Sequence, residues 1–143
     1  MCDGVEAREA DRTWKIDFTS QDAAIPVLFE EGGQVEWISW GRREDQLGNG
    51  PAGGWADLAA IRAGGWAQYQ PRRAFGLVRR FRKEEDHMGE ENRSSYWFDI
   101  PQGQALECLV IGEGEERRVY VVTTAPPEEY TCIHDRWPVL AEY

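Results

Sequence analysis

The sequence predicts a strand-rich α+β domain, and three observations carry that prediction. Short apolar or alternating runs recur at close intervals: 14–18, 25–29, 34–40, 74–81, 96–100, 105–111 and 117–124. Clusters of glycine and proline punctuate them, notably Glu30-Glu31-Gly32-Gly33, the stretch 47–54 and Pro101-Gln102-Gly103. Only residues 55–63 read as a helix of any length, and Gly64-Gly65 ends it.

In chain order, residues 1–24 are polar and mixed, with one short strand at Trp14-Lys15-Ile16-Asp17-Phe18. The apolar run Ile25-Pro26-Val27-Leu28-Phe29 leads through a Glu-Glu-Gly-Gly turn into a second strand, 34–40, closed by Gly41. Four glycines and a proline make 47–54 a loop. Residues 74–81 form a strand centred on Leu77-Val78, and the charged stretch 83–95, with Gly89 inside it, is expected to be a loop or hairpin end. Tyr96-Trp97-Phe98-Asp99-Ile100 is a strong strand signal because aromatic and β-branched side chains suit a pleated, half-buried surface. The runs 105–111 and 117–124 flank Gly112-Glu113-Gly114-Glu115-Glu116 as a hairpin. Pro126-Pro127 opens a single helical turn through Tyr130. The chain shows no internal repeat, heptad pattern or low-complexity linker.

A length of 143 residues with 41% hydrophobic content and seven tryptophans predicts one domain, 1–143, with a real core rather than a disordered chain. No run approaches 18 apolar residues, and Met1-Cys2-Asp3-Gly4 lacks the basic and apolar regions of a signal peptide. A cytoplasmic, membrane-free monomer is the expectation. Cys2, Cys108 and Cys132 are an odd and sparse set, suited to a reducing compartment. Without a CxxC pair, and with only His87 and His134, no metal or cofactor is expected. Cys108 and Cys132 lie in apolar contexts and read as small core residues. His87, in a hydrophilic stretch, reads as exposed.

The net charge of −10 argues against a general nucleic-acid binder. The distribution of charge qualifies this. From Arg62 to Lys83 there are seven basic residues (Arg62, Arg72, Arg73, Arg79, Arg80, Arg82 and Lys83) and no acidic one. Such an island either contacts a short phosphate backbone or forms a solvated face paired with Glu-rich neighbours.

Several chemistries can be excluded on motif: the chain has no GxSxG, Walker loop, GxGxxG or HExxH. What remains is a cysteine at position 2, the pair Glu84-Glu85 after a basic strand, and His134 between Ile133 and the charged Asp135-Arg136. His134 stands beside both charge signs, as a group titrating near neutrality does at the edge of a site or in a capped turn.

Taken together these features resemble the SOS response-associated peptidase family, the abasic-site-processing proteins that crosslink to damaged single-stranded DNA. The family begins Met-Cys-Gly-Arg, and this chain begins Met1-Cys2-Asp3-Gly4. The family's strand entering Trp-Gly-Leu-Ile-Pro is matched by Ile38-Ser39-Trp40-Gly41-Arg42. Its Arg-Arg-Cys-Leu-Val-Pro-Ala-Asp-Gly-Phe-Tyr-Glu-Trp survives in outline as Arg72-Arg73 and Leu77-Val78. Counting from that Leu-Val puts the family's glutamate at Glu85, with Glu84 as the close alternative. Its following aromatic pair matches Tyr96-Trp97. Most specific is the tail: Thr123-Thr124, then after the same spacer Ile133-His134-Asp135-Arg136-Trp137-Pro138-Val139, against the family's Thr-Thr and Ile-His-Asp-Arg-Met-Pro-Val. The stretch from about 41 to 72 is contracted, the family's Asn-Ala-Arg-Ala-Glu motif has no clear counterpart, and the arginine after its Cys-Gly is gone.

The resemblance implies a bent or barrel-like mixed sheet with a few short helices. It implies an abasic-site sensor in single-stranded DNA, nucleoid-associated, that crosslinks through Cys2 after removal of Met1, with Cys2, Glu85 and His134 as catalytic residues. Arg72, Arg73, Arg79, Arg80, Arg82 and Arg136 would contact phosphates, and Trp40 and Trp97 would stack on bases. The chemistry suits these residue types. An α-amine with an ordinary pKa of about 8 is substantially neutral in the cytoplasm and forms an imine with an open-chain aldehyde. The neighbouring thiol then closes a thiazolidine ring, which no internal residue can do. Imine formation moves protons twice, which suits a carboxyl group such as that of Glu85; His134 would assist sugar ring opening or reversal. The alternative left open is a non-catalytic, phage-borne relative that binds nucleic acid or a protein.

Overall fold

The computed structural model describes residues 3–9, 11–85, 94–130 and 136–143, with backbone alone for Glu9, Glu85, Ser94 and Ser95. Two sheets face each other across one core. The smaller has the order β2-β1-β7-β8 and comprises β1 (Gly4–Glu9), β2 (Arg12–Asp17), β7 (Arg80–Glu85) and β8 (Ser94–Asp99). The larger runs β11-β10-β9-β6-β3-β4, from β3 (Ala24–Phe29), β4 (Glu36–Ser39), β6 (Arg72–Gly76), β9 (Gln104–Ile111), β10 (Arg118–Thr124) and β11 (Trp137–Pro138). Two further strands join it: β5 (Trp55–Asp57) runs parallel to β10, and β12 (Leu140–Glu142) runs antiparallel to β9. The architecture is therefore strand-rich α+β with a mixed sheet. It is not a closed barrel, since among the described residues β2 and β8 end the small sheet unpaired to each other, but the large sheet curls: just past β4, Trp40 bridges to Val119 of β10 and Gly41 N–H donates to the Val119 carbonyl at 2.8 Å.

Strict alternation along each strand builds the layers. Val5, Ala7 and Phe81 from the small sheet meet Ile25, Val27, Leu106, Cys108, Val110, Val119 and Val121 from the large one, all buried. Cys108 is thus a core residue, as its context predicted. The opposite face of the large sheet carries Leu109, Ile111, Tyr120 and Val122, and the segment 56–69 covers it with Ala56, Trp66 and Tyr69. Tyr120 is fully buried, and its hydroxyl donates to the Pro51 carbonyl at 2.7 Å, tying the glycine-rich loop to the sheet. Burial pushes its phenol pKa up.

Three sequence expectations change. The predicted helix 55–63 begins as strand β5 and becomes the one-turn helix α1 (Leu58–Arg62), capped by the Asp57 carboxylate accepting from Ala59 N–H at 3.2 Å. The parallel ladder with β10 captures the first three residues before helix can form. The predicted strand 74–81 divides at Leu77–Arg79 into β6 and β7, which enter different sheets. The stretch 83–95, expected to be a loop or hairpin end, lies where β7 and β8 pair antiparallel, but strand reaches further into it than expected, to Glu85 and again from Ser94, in one register from Arg80↔Asp99 to Glu85↔Ser94. The polar start of the chain also conceals β1, whose buried Val5 and Ala7 alternate with Glu6 and Arg8.

The tail fills a fork. β10 leaves β9 after Val121, and the strand pair β11 and β12 enters the gap, pairing first with Thr123-Thr124 and then with 104–106. Val139 bridges both sides: its N–H donates to the Val122 carbonyl and its carbonyl accepts from Glu107 N–H, each at 2.8 Å.

Candidate functional site

The three predicted catalytic residues fall where the description stops. Cys2 and His134 lie outside the described residues, as do Cys132 and His87, and of Glu85 only the backbone is described, at the last position of β7 opposite Ser94. Their described neighbours have well-defined positions.

Asp3 is pinned to β7. Its N–H donates to the Arg82 carbonyl at 2.7 Å, and its carboxylate Oδ2 accepts the Glu84 N–H at 2.7 Å. Its carbonyl accepts from Phe18 N–H at 3.1 Å and from Arg82 Nη2 at 3.3 Å. Gly4, next along, permits this crossing: a Cβ there would stand 2.7 Å from the Ile16 carbonyl oxygen and 3.4 Å from Arg82 Nη2.

The residues flanking 131–135 meet over the inner face of the same strand. Trp137 stands edge-on to Phe81 with centroids 5.1 Å apart, edge-on to Phe98 at 4.8 Å, and stacked on Tyr130 at 5.1 Å and 7°. Phe81 and Phe98 are themselves stacked at 5.3 Å. Arg136 turns away from this cluster: its Nη2 donates to Asp57 Oδ1 at 2.5 Å and to the Thr123 carbonyl at 2.9 Å. Asp57 therefore caps α1 and holds the tail with one oxygen. Arg136 is built into the fold through Asp57 and Thr123 rather than projecting freely for phosphate.

The outward face of β7 carries the arginine island, and acids answer it. Arg80 forms a bidentate pair with Glu6 at 2.7 and 2.9 Å. This hydrogen bonding holds the Glu6 carboxyl below its ordinary range. Arg82 Nη2 lies 3.6 Å from both Asp17 Oδ2 and Glu84 Oε1. Asp17 is also lowered, chiefly because the Thr19 N–H and hydroxyl donate to it. On β6, Arg72 pairs with Glu31 and packs over Phe29, while Arg73 reaches Glu107 at 2.6 Å and Glu30 at 3.1 Å. Those two carboxylates raise the Arg73 pKa further above its already high value. Arg79 alone of the predicted phosphate contacts has no carboxylate within ion-pair distance among the described residues.

Of the two predicted stacking tryptophans, Trp40 is a packing residue. Its ring stacks on Phe18 at 4.2 Å and 11°, meets Trp55 at 5.2 Å, and abuts Gly54, where a Cβ would come within 2.0 Å of the indole. Trp97 is different. It lies on the outward face of the small sheet with the Arg80 guanidinium 4.7 Å and the Lys15 ammonium 5.9 Å from its centroid.

A cavity of about 600 Å³ is an open groove at the start of β7, lined among others by Glu6, Arg79, Arg80, Asp99, Gln104 and Tyr143. Asp3 clamps the other end of that strand, about 13 Å away along four residues. The groove therefore joins the arginine face but not the N-terminal anchor.

Lys83 sits on the inward face of β7, two residues beyond Phe81, and is only 4% exposed. Among the described residues no group of three or more His, Cys, Asp or Glu side chains is arranged to hold a metal ion, and no helix is long and apolar enough to cross a membrane. Comparison with known proteins gives no matching family model, and no curated protein and no solved structure matches the chain.

Proposed function

We propose that the protein senses abasic sites in single-stranded DNA and crosslinks to them through Cys2. The observation that carries this reading is the convergence of two anchors on β7. Asp3, next in sequence to Cys2, is hydrogen-bonded to Arg82 and Glu84, and Trp137, three residues beyond His134, packs on Phe81. Both anchors meet β7 within the span from Phe81 to Glu84, which supports bringing the two chain segments to one strand. The amine and thiol of Cys2, once Met1 is removed, would form the imine and then the thiazolidine, with Glu85 as proton carrier and His134 assisting ring opening. The strand's phosphates would follow Arg82, Arg80 and Arg79 toward the groove, displacing Asp17 and Glu6, with Trp97 as the stacking ring.

The test is a denaturing gel of wild-type and Cys2→Ala protein after incubation with an abasic oligonucleotide and no reductant. Wild-type protein is expected to form a heat-stable adduct and Cys2→Ala to lose it at least tenfold. An adduct that forms equally in both proteins would sink the reading. So would an intact mass showing Met1 retained on protein that still crosslinks.

A second reading, a non-catalytic relative that binds nucleic acid or a protein, is favoured by one observation. Arg72, Arg73, Arg80 and Arg82 already have carboxylates beside them, leaving little excess positive field for DNA. It predicts no adduct and weak binding that vanishes with modest salt.

A further inference from the structure

We propose that the groove at the start of β7 is a pocket for one unpaired base of a single strand and that it selects guanine. The inference rests on the reading above, in which single-stranded DNA is the ligand, and deepens it at a place remote from the Asp3 clamp.

The groove has the size and the access. Its volume of about 600 Å³ lies within the range of about 300–1,000 Å³ usual for sites that hold a small molecule, and it opens to solvent. It begins about 13 Å along β7 from the Asp3 clamp, which a stacked strand covers in about four nucleotides and an extended one in fewer. Trp97 and Asp99 stand on the same outward face of β8, two residues and roughly 7 Å apart. A strand with one base stacked on Trp97 therefore delivers a neighbouring base to the groove.

Two of its charged groups are unspent. Arg79 is exposed, and among the described residues its side chain has no carboxylate within ion-pair distance. Asp99 is exposed as well. Its cross-strand neighbour is Arg80, but that guanidinium is turned to Glu6, which takes both of its hydrogen bonds, and Asp99 acts on it only through space. Glu6 and Asp99 balance Arg79 and Arg80, so the lining suits a neutral ring with polar edges better than a second phosphate. Gln104 adds an amide that both donates and accepts, and Tyr143, 59% exposed, supplies an aromatic wall.

The pattern of donors and acceptors chooses the base. A carboxylate accepts and does not donate, and a guanidinium donates and does not accept. A ligand that satisfies both presents donors beside an acceptor. Every base has such an edge, but only guanine carries two adjacent donors, N1–H and the N2 amino group, which one carboxylate binds as a pair. Its O6, next to them, accepts from Arg79 or the Gln104 amide. Adenine and cytosine offer the carboxylate a single amino group and thymine a single N–H, so each leaves one Asp99 oxygen without a partner.

The experiment measures fluorescence anisotropy of labelled oligothymidylates without an abasic site, each carrying one central guanine, hypoxanthine, adenine or cytosine, with full-length protein at low salt. Hypoxanthine keeps N1–H and O6 and lacks the N2 amino group. The guanine probe is expected to bind at least about fivefold tighter than each of the others. Asp99→Asn, at an exposed position, separates recognition from charge. Losing a negative charge by itself tightens every probe alike and leaves their ratios unchanged. The proposal instead expects the preference for guanine over hypoxanthine to fall below about twofold, with binding of plain oligothymidylate no weaker. Equal affinity for guanine and hypoxanthine, an unchanged preference in Asp99→Asn, or binding of none of the probes overturns the proposal. The two readings also separate. Guanine-selective binding by a protein that makes no abasic adduct removes only the Cys2 reading. Adducts that form equally well whatever bases flank the abasic site, on protein without guanine preference, remove only this inference.

Discussion

On its outward face β7 presents Arg80 and Arg82, each beside a carboxylate and partly in water; on its inward face it buries Phe81 and Lys83. The same six residues thus place three cations in two different environments. Outside, opposite charges in water gain little from one another, and the ladder Lys15-Glu6-Arg80-Asp99 across four strands mainly fixes register and solubility. Inside, the aromatic cluster supplies the stability, and Lys83 is buried two residues beyond Phe81. The difference is one of solvent: the paired arginines stay partly in water, whereas Lys83 is withdrawn from it.

Substitutions can break this contrast in graded steps. Phe81→Ala should have the largest effect, because it removes the ring on which Phe98 and Trp137 rest and opens a cavity between the sheets. A loss of about 3–5 kcal/mol is expected, read as a lower urea midpoint. A loss below 1 kcal/mol would mean that the cluster is not the joint between tail and sheet. Asp57→Ala comes next, removing the α1 cap and the Arg136 partner together, at a cost of about 1–2 kcal/mol. Its more telling readout is crosslinking. If Asp57 orients the tail, adduct formation should fall with the folded fraction unchanged, and an unaffected rate would make the contact purely structural.

Glu6→Gln is the smallest change and tests the outer face. Arg80 holds the Glu6 carboxyl below its ordinary 4.5, so the folded value is depressed. A depressed carboxylate contributes stability above the unfolded value and loses it as pH falls through the folded one. The small deficit of the variant relative to wild type should be present at pH 7 and shrink below pH 4.5 in acid titrations of the urea midpoint. A deficit that grows in acid would contradict the pairing.

Much of the fold was legible because burial imposes a period of two on any half-buried strand. The hairpin of β9 and β10, with its glycine-bearing turn, was visible for that reason, as were β3, β4 and β8. β1 was not, since Gly4-Val5-Glu6-Ala7 has only small or few apolar residues and its partner Phe81 lies far along the chain. The reading of 55–63 as helix followed local propensity, and a parallel ladder with Val121–Thr123 overrode it. For the candidate site, the sequence marked the island of arginines but not the acids that answer it. Glu30, Glu31 and Glu107 are brought to Arg72 and Arg73 by strand pairing alone.

By itself, then, the sequence determined the strand-rich class, most strand positions, the identity of Cys108 as core and the set of groups able to react with a carbonyl. Those follow from periodicity and from side-chain chemistry, which are local. Only the tertiary structure decided that the large sheet curls back to β10 without closing a barrel, that Trp40 packs while Trp97 lies near two cations, and that Asp3 and Trp137 meet the same strand. It also decided that Lys83 faces inward and the neighbouring arginines outward. Those are matters of register and topology, set by contacts between residues distant in the chain, and no local pattern encodes them.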